Sequence, residues 1–397
     1  MFKSAFLVGV LGFLVLGCPG RSGGDDRELE ARARYLAGIA HLQDARFGEA
    51  VLELNEAVQL DPDRVEAHHS LGESYLGLMR YTDAEASFRR ALELEPGKYL
   101  SQMGLGHALR LQGRSDDAVA AYREAARLKP DHPGPRISMG EVLESMEDEA
   151  GAAEAFAEAA SLMEPELAAR PLARSGKALA AAGRYDEART TYLEVLKLLP
   201  EDLDSWLGLA EASVRSGMLD EAIEAYQAAS RLDPDDTITL QLLAASYEAK
   251  GDDARAVETY EDALKKEPES ARLWKGLASL HLAGEREDEA AKAAAEALEH
   301  LGGDDVDLIR AVADLLAKMG DARRSAELYR LLLLEMDDDA SLWIALARQL
   351  DKMGQSLELQ RICARLKELG ERNGVTSRDL EWCNERMRSK KQESSSR

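Results

Sequence analysis

Apolar, small and polar positions along the chain fall into a register that repeats about every 34 residues. Pro62, Pro96 and Pro130 are spaced by 34, as are Pro200, Pro234 and Pro268, and Pro165 lies 35 residues from each set. Counted so that this proline is the thirty-second position, the eighth is always small. It is Gly38, Gly72, Gly106, Gly140 and Gly176, then Ala210, Ala244, Ala278, Ala313 and Ala347. The twentieth runs from Ala50, Ala84, Ala118 and Ala152 through Ala188, Ala222, Ala256 and Ala290 to Ser325 and Leu359. The twenty-fourth is aromatic in Phe88, Tyr122, Phe156, Tyr192, Tyr226, Tyr260 and Tyr329. Each period predicts two helices, joined by a turn that often carries glycine (Gly113, Gly183, Gly217, Gly251, Gly320, Gly354) and ended by the proline. Small residues at the eighth and twentieth positions let the two helices approach, and larger side chains fill the space between neighbouring pairs. Trp206, Trp274 and Trp343 share the fourth position, which makes them packing residues before ligand contacts.

These residues resemble the tetratricopeptide pattern, whose unit is a helix-turn-helix. The resemblance implies an all-α fold, a right-handed α-solenoid (superhelix) of about ten repeats over residues 27–370. The eighth repeat lacks the aromatic and the proline, having Ala294 and Gly302, and the tenth is degenerate beyond Gln355. Thr376 to Met387 reads as one more helix, with Thr376 or Ser377 as N-cap and Leu380, Cys383 and Met387 on one face. Residues 371–388 would then cap the open end of the last repeat, and the polar 389–397 would be a disordered tail.

In this family the first helix of each pair lines a concave groove through its second, fifth, ninth and twelfth positions. Those positions carry eight basic and ten acidic residues here. Tyr35, Leu100, Met103 and Ile137 are apolar candidates for partner contact, and Arg170, Arg174 and Lys177 form a basic spot able to grip an acidic segment or a chain terminus. Arg272, Lys275, Arg310 and Arg348 complete the candidate groove. The competing reading is that these side chains are solvated or paired within the groove. No asparagine occupies a groove position, which disfavours the carboxylate clamp of some chaperone-binding family members.

Charge sharpens this picture. With 50 Lys+Arg against 74 Asp+Glu the chain carries −24, which argues against nucleic acid as a partner. A hydrophobic share of 45% still permits a core. Ahead of the repeats, Lys3 precedes an apolar run from Ala5 to Leu16, too short to span a bilayer but suited to a secretory signal over residues 1–17. Val15-Leu16-Gly17-Cys18 resembles the lipobox of bacterial lipoproteins, which implies diacylation of Cys18. Residues 18–26 would be a flexible tether. Ordinary cleavage nearby, or an uncleaved anchor, are the alternatives.

Cys363 and Cys383 then remain as an even pair that could close a disulfide or pack unpaired. His69, Glu73 and His107 could face one groove as a metal trio, although nothing fixes a second shell, and no metal is expected. Acidic loops such as Asp233-Pro234-Asp235-Asp236 lack the EF-hand glycine and read as helix caps. No nucleophile elbow, HExxH motif or phosphate-binding loop occurs, so neither an enzyme nor a cofactor is expected. The expectation is a scaffold for protein or peptide partners in a bacterial cell-envelope complex, lipid-anchored in the outer membrane and periplasm-facing. A peptidoglycan- or polysaccharide-binding export component and a cytoplasm-facing adaptor with an uncleaved anchor are the alternatives.

Overall fold

The computed structural model describes residues 23–301, 306–370 and 375–395, and among them the fold is all-helical, with 21 helices and no strand. The lipobox, Cys18 and the signal segment lie outside the described residues. The chain divides into two compact units after Ser216.

The first unit contains α1 (Gly23–Gln43), α2 (Phe47–Leu60), α3 (Val65–Gly77), α4 (Tyr81–Leu94), α5 (Tyr99–Leu111) and α6 (Ser115–Leu128). It continues with α7 (Gly134–Ser145), α8 (Glu149–Ser161), α9 (Pro165–Ala181), α10 (Tyr185–Leu198) and α11 (Leu203–Arg215). The second unit contains α12 (Leu219–Leu232), α13 (Thr237–Lys250), α14 (Asp253–Lys266), α15 (Ala271–Ala283) and α16 (Glu287–Glu299). It ends with α17 (Val306–Lys318), α18 (Ala322–Leu332), α19 (Ala340–Lys352), α20 (Ser356–Leu369) and α21 (Ser377–Ser395). Odd-numbered helices up to α19 are the first helices of the repeats.

The small-residue register has a steric cause. In the first five repeats the twenty-fourth side chain lies against the eighth residue of its own repeat: a Cβ added at Gly38 would meet Leu54 at 2.5 Å, and one at Gly106 would meet Tyr122 at 2.5 Å. The sixth residue of the following repeat closes the other side, as Gly104 does on Phe88 and Gly276 on Tyr260. The turn between the two helices reverses through a left-handed residue at the fifteenth position of all ten repeats. Six are the turn glycines, with φ from 70° to 85°; the others are Ala45, Met79, Glu147 and Glu285.

Caps and loop ties complete the repeats. Asp202, Asp236 and Asp339 accept backbone N–H bonds at the starts of α11, α13 and α19, as expected of acidic residues in the inter-repeat loops. The fourth-position tryptophans do more than pack. Their indole N–H groups donate to the carbonyls of Pro200, Pro268 and Asp337 at 2.9, 2.7 and 2.7 Å, pinning the loop to the helix that follows. His68 and Arg136 do the same to Pro62 and Pro130.

Two expected boundaries move. Helix α1 begins at Gly23, so residues 23–26 are helical where a flexible tether was expected. Helix α21 runs to Ser395 where a disordered tail was expected from 389, because lysine, glutamine and glutamate favour helix and neither glycine nor proline interrupts them. Cys363 and Cys383 are joined by a disulfide with Cα atoms 5.7 Å apart, tying α20 to α21. No described helix is long and apolar enough to cross a membrane.

Candidate functional site

Several first helices touch the next one within their unit: α1 with α3, α3 with α5 and α9 with α11 in the first, α13 with α15 and α15 with α17 in the second. Side chains at their second, fifth, ninth and twelfth positions therefore share a face. In the first unit Leu100 is 56% exposed on α5, with Met103 half-buried one turn along and Ile137 half-buried on α7. Tyr35 is half-buried beside the cluster of Ala50, Val51, Leu54 and Leu71, with the Arg64 guanidinium 5.8 Å from its ring centre. It belongs to the packing more than to the open face.

The histidines of this face serve structure. His69 places Nδ1 3.1 Å from the Ser101 hydroxyl and Nε2 3.5 Å from Glu73. His107 places Nδ1 2.9 Å from the Tyr122 hydroxyl, and burial holds its pKa below the usual histidine value, with Arg110 adding to the effect. Among the described residues no three His, Cys, Asp or Glu side chains gather as a metal site.

The basic spot divides. Arg170 and Lys177 are exposed on α9, and neither makes an ion pair with a described residue. Arg174 is instead engaged: its guanidinium reaches Glu141 at 3.1 Å and Glu144 at 2.5 Å on α7 and lies 4.2 Å from the centre of the Phe156 ring. It occupies the sixth position, which faces the preceding repeat's aromatic, so its charge is spent between repeats. Lys177 borders a pocket of about 250 Å³ between α9 and α11, with Tyr185, Tyr192, Gly208, Glu211 and Arg215 around it. Tyr192 and Arg215 were not singled out from sequence; the tyrosine was read only as a packing aromatic.

In the second unit Arg272 and Lys275 border a smaller pocket of about 190 Å³ with Gln241, Asp307 and Leu308. Arg310 bonds Asp339 at 3.3 Å and the Ser341 hydroxyl at 2.5 Å in the following repeat. Arg348 lies 3.6 Å from Asp379 on α21, and Asp351 accepts from Arg386 at 3.0 Å, so the last helix takes up these two positions itself. Arg310 and Arg348 are thus committed to neighbouring elements of the chain rather than standing free for a partner.

A tetratricopeptide repeat family model matches residues 69–133 and 174–237, and a second tetratricopeptide repeat model matches residues 238–280. No curated protein matches the chain. Among solved structures, the C-terminal part of a TPR repeat-containing protein from Cytophaga hutchinsonii is 15% identical with a TM-score of 0.49, covering 61% of this chain and 99% of that one. Yeast Tom70 is 14% identical with a TM-score of 0.40, covering 91% and 96%. MamA from Desulfovibrio magneticus is 24% identical with a TM-score of 0.36, covering 43% and 96%. Tetratricopeptide repeats generally mediate protein–protein interactions, and no enzyme family is indicated. The period, the left-handed turns, the interlocked aromatic and small positions and the family-model matches agree: the chain carries tetratricopeptide repeats.

Proposed function

We propose that the chain is a membrane-anchored scaffold whose first-helix face holds a segment of another protein in a bacterial cell-envelope complex, facing the periplasm from the outer membrane. One observation carries the binding reading: Leu100 stands exposed on α5, one turn from the half-buried Met103, on the face that the family uses for partners and in the same unit as the unpaired cations Arg170 and Lys177. An exposed apolar position with free cations elsewhere in the same unit suits an amphipathic or acidic protein segment. The lipobox-like segment ending at Cys18 supports the anchor. The Cys363–Cys383 disulfide supports an oxidising compartment.

Site-specific photocrosslinking in intact cells tests the binding face. A probe at Leu100 is expected to capture a discrete protein, and one at Leu52, exposed on α2, is not. Arg170→Glu with Lys177→Glu is expected to weaken that capture; equal capture from both probes overturns the assignment of the face. Labelling with a palmitate analogue is expected to disappear in Cys18→Ala, and an unlabelled wild type overturns the anchor.

A further inference from the structure

The second unit carries an apolar cleft on the side of the repeats formed by second helices. Its cavity of about 880 Å³ lies among α18, α19 and α20, and the buried Leu333, Leu346 and Ile362 line it. Leu334 and Leu357 border it while remaining 81% and 70% exposed. Trp343 adds its ring, since the indole N–H is already given to the Asp337 carbonyl at 2.7 Å. The groove positions of α19, which are Ser341, Ile344, Arg348 and Asp351, do not line this cleft.

Both border leucines break the repeat register. The twenty-ninth position is polar in the other nine repeats, from Gln59 and Glu93 to Lys265 and Glu368, and is leucine only at 334. The eighteenth is polar or small in the other nine, as in Thr82, Asp116 and Asp220, and is leucine only at 357. Helix α18 also ends after 11 residues where α12 and α14 run for 14, so that Leu333 to Glu335 form a turn. Two departures from the register thus meet at one cleft, where large apolar side chains stand in water without a packing role.

Charge and size select the occupant. Arg330 and Glu358 neutralise each other through two bonds of 2.9 Å between α18 and α20. Arg361, exposed and one turn beyond Leu357 on the same face of α20, makes no ion pair with a described residue. The cleft is therefore apolar with one uncompensated positive charge, which calls for an apolar surface carrying a negative one. A second copy would set two chains of −24 against each other. The stretches of this chain outside the described residues do not match either: 1–22 contains Lys3 and Arg21 but no carboxylate, and 302–305, 371–374 and 396–397 contain no large apolar side chain. A small apolar ligand would leave its outer side in water between two exposed leucines, whereas an amphipathic helix turns its polar face there.

We infer that this cleft receives an amphipathic helix of a partner protein. Its apolar residues, spaced i, i+3 or i+4 and i+7, seat against Leu334, Leu357 and Trp343, and an acidic residue lies toward Arg361. This surface is independent of the face at Leu100.

Helix-favouring peptides of about 18 residues, selected from a display library on the full chain, provide the probe. Binding is followed by fluorescence anisotropy to wild type, Leu334→Asp with Leu357→Asp, Arg361→Glu and Leu100→Asp. The substituted leucines are exposed, so circular dichroism and urea unfolding of the double variant are expected to match wild type. Selected peptides are expected to bind the double variant at least about thirty-fold more weakly and Leu100→Asp within about two-fold of wild type. Proline at a central peptide position is expected to abolish binding. Arg361→Glu is expected to weaken binding about five-fold, and exchanging the peptide carboxylates for lysine to reverse that preference. A selection in which no peptide depends on Leu334 and Leu357 overturns the inference, as do dependent peptides that tolerate the central proline or are indifferent to Arg361→Glu. A wild-type dimer in sedimentation that the double variant dissolves overturns it in favour of a second copy. Palmitate bound at these leucines while no peptide binds there overturns it in favour of a lipid.

Discussion

Replacing Phe88 with alanine is expected to destabilise the first unit by about 3–5 kcal/mol, with the loss concentrated between the second and third repeats. Phe88 is fully buried on α4, and glycines lie on both sides of its ring. A Cβ at Gly72 of its own repeat would stand 2.7 Å from the ring, and one at Gly104 of the next repeat 2.4 Å from it. The ring thus fills a space that two glycines were needed to open, and neither has a side chain to swing into the cavity left by truncation. His69, with its ring centre 5.6 Å away, is held by Ser101 and Glu73 and would have to break those contacts to move in. The cost therefore belongs at the upper end for a core aromatic. Urea unfolding followed by circular dichroism checks it, and a loss below about 1 kcal/mol would show that the cavity collapses after all. Because each repeat is stabilised mainly by its neighbours, the variant is also expected to separate the unfolding of its two ends into distinct transitions.

The repeat register was legible because it is a volume signal: Gly72, Gly106 and Gly140 must be small for Phe88, Tyr122 and Phe156 to be large. That requirement recurs at every period, so chance matches are outvoted. The left-handed turn was legible only where glycine marks it. Ala45, Met79, Glu147 and Glu285 adopt the same conformation with ordinary side chains, since the two packed helices dictate the turn and the residue yields. The loop ties at the fourth position leave a trace that a packing role alone does not explain: tryptophan, histidine and arginine share little except an N–H at the end of a long side chain. The candidate site was legible by position, which placed Leu100, Arg170 and Lys177 on the exposed face. It failed for Arg174, Arg310 and Arg348, whose partners lie about one repeat away in the chain, because pairing at that range depends on rotamers that a repeat register does not encode.

Changing both Cys363 and Cys383 to serine is expected to weaken the hold on α21 by about 3 kcal/mol, the stabilisation ordinarily gained by closing a loop of about this length. Both cysteines are fully buried, in one cluster with Leu350, Ile362, Leu366 and Val375. Beyond the bond, Leu380 and Trp382 of α21 pack against this cluster, and two partly exposed pairs, Arg348 with Asp379 and Arg386 with Asp351, contribute about 0–1 kcal/mol each. Without the bond, two buried hydroxyls replace sulfur in an apolar seam, which adds a desolvation cost to the lost covalent constraint. Amide hydrogen exchange is expected to accelerate along α21 and at the end of α20, while α13 to α16 keep their protection. Alkylation under denaturing, non-reducing conditions followed by peptide mass mapping supplies the prior check: neither cysteine should react, and labelling of both would overturn the bond. If exchange in the double variant stays at the wild-type rate while the bond is intact in wild type, the apolar seam alone holds α21, and the disulfide is dispensable for closing the last repeat.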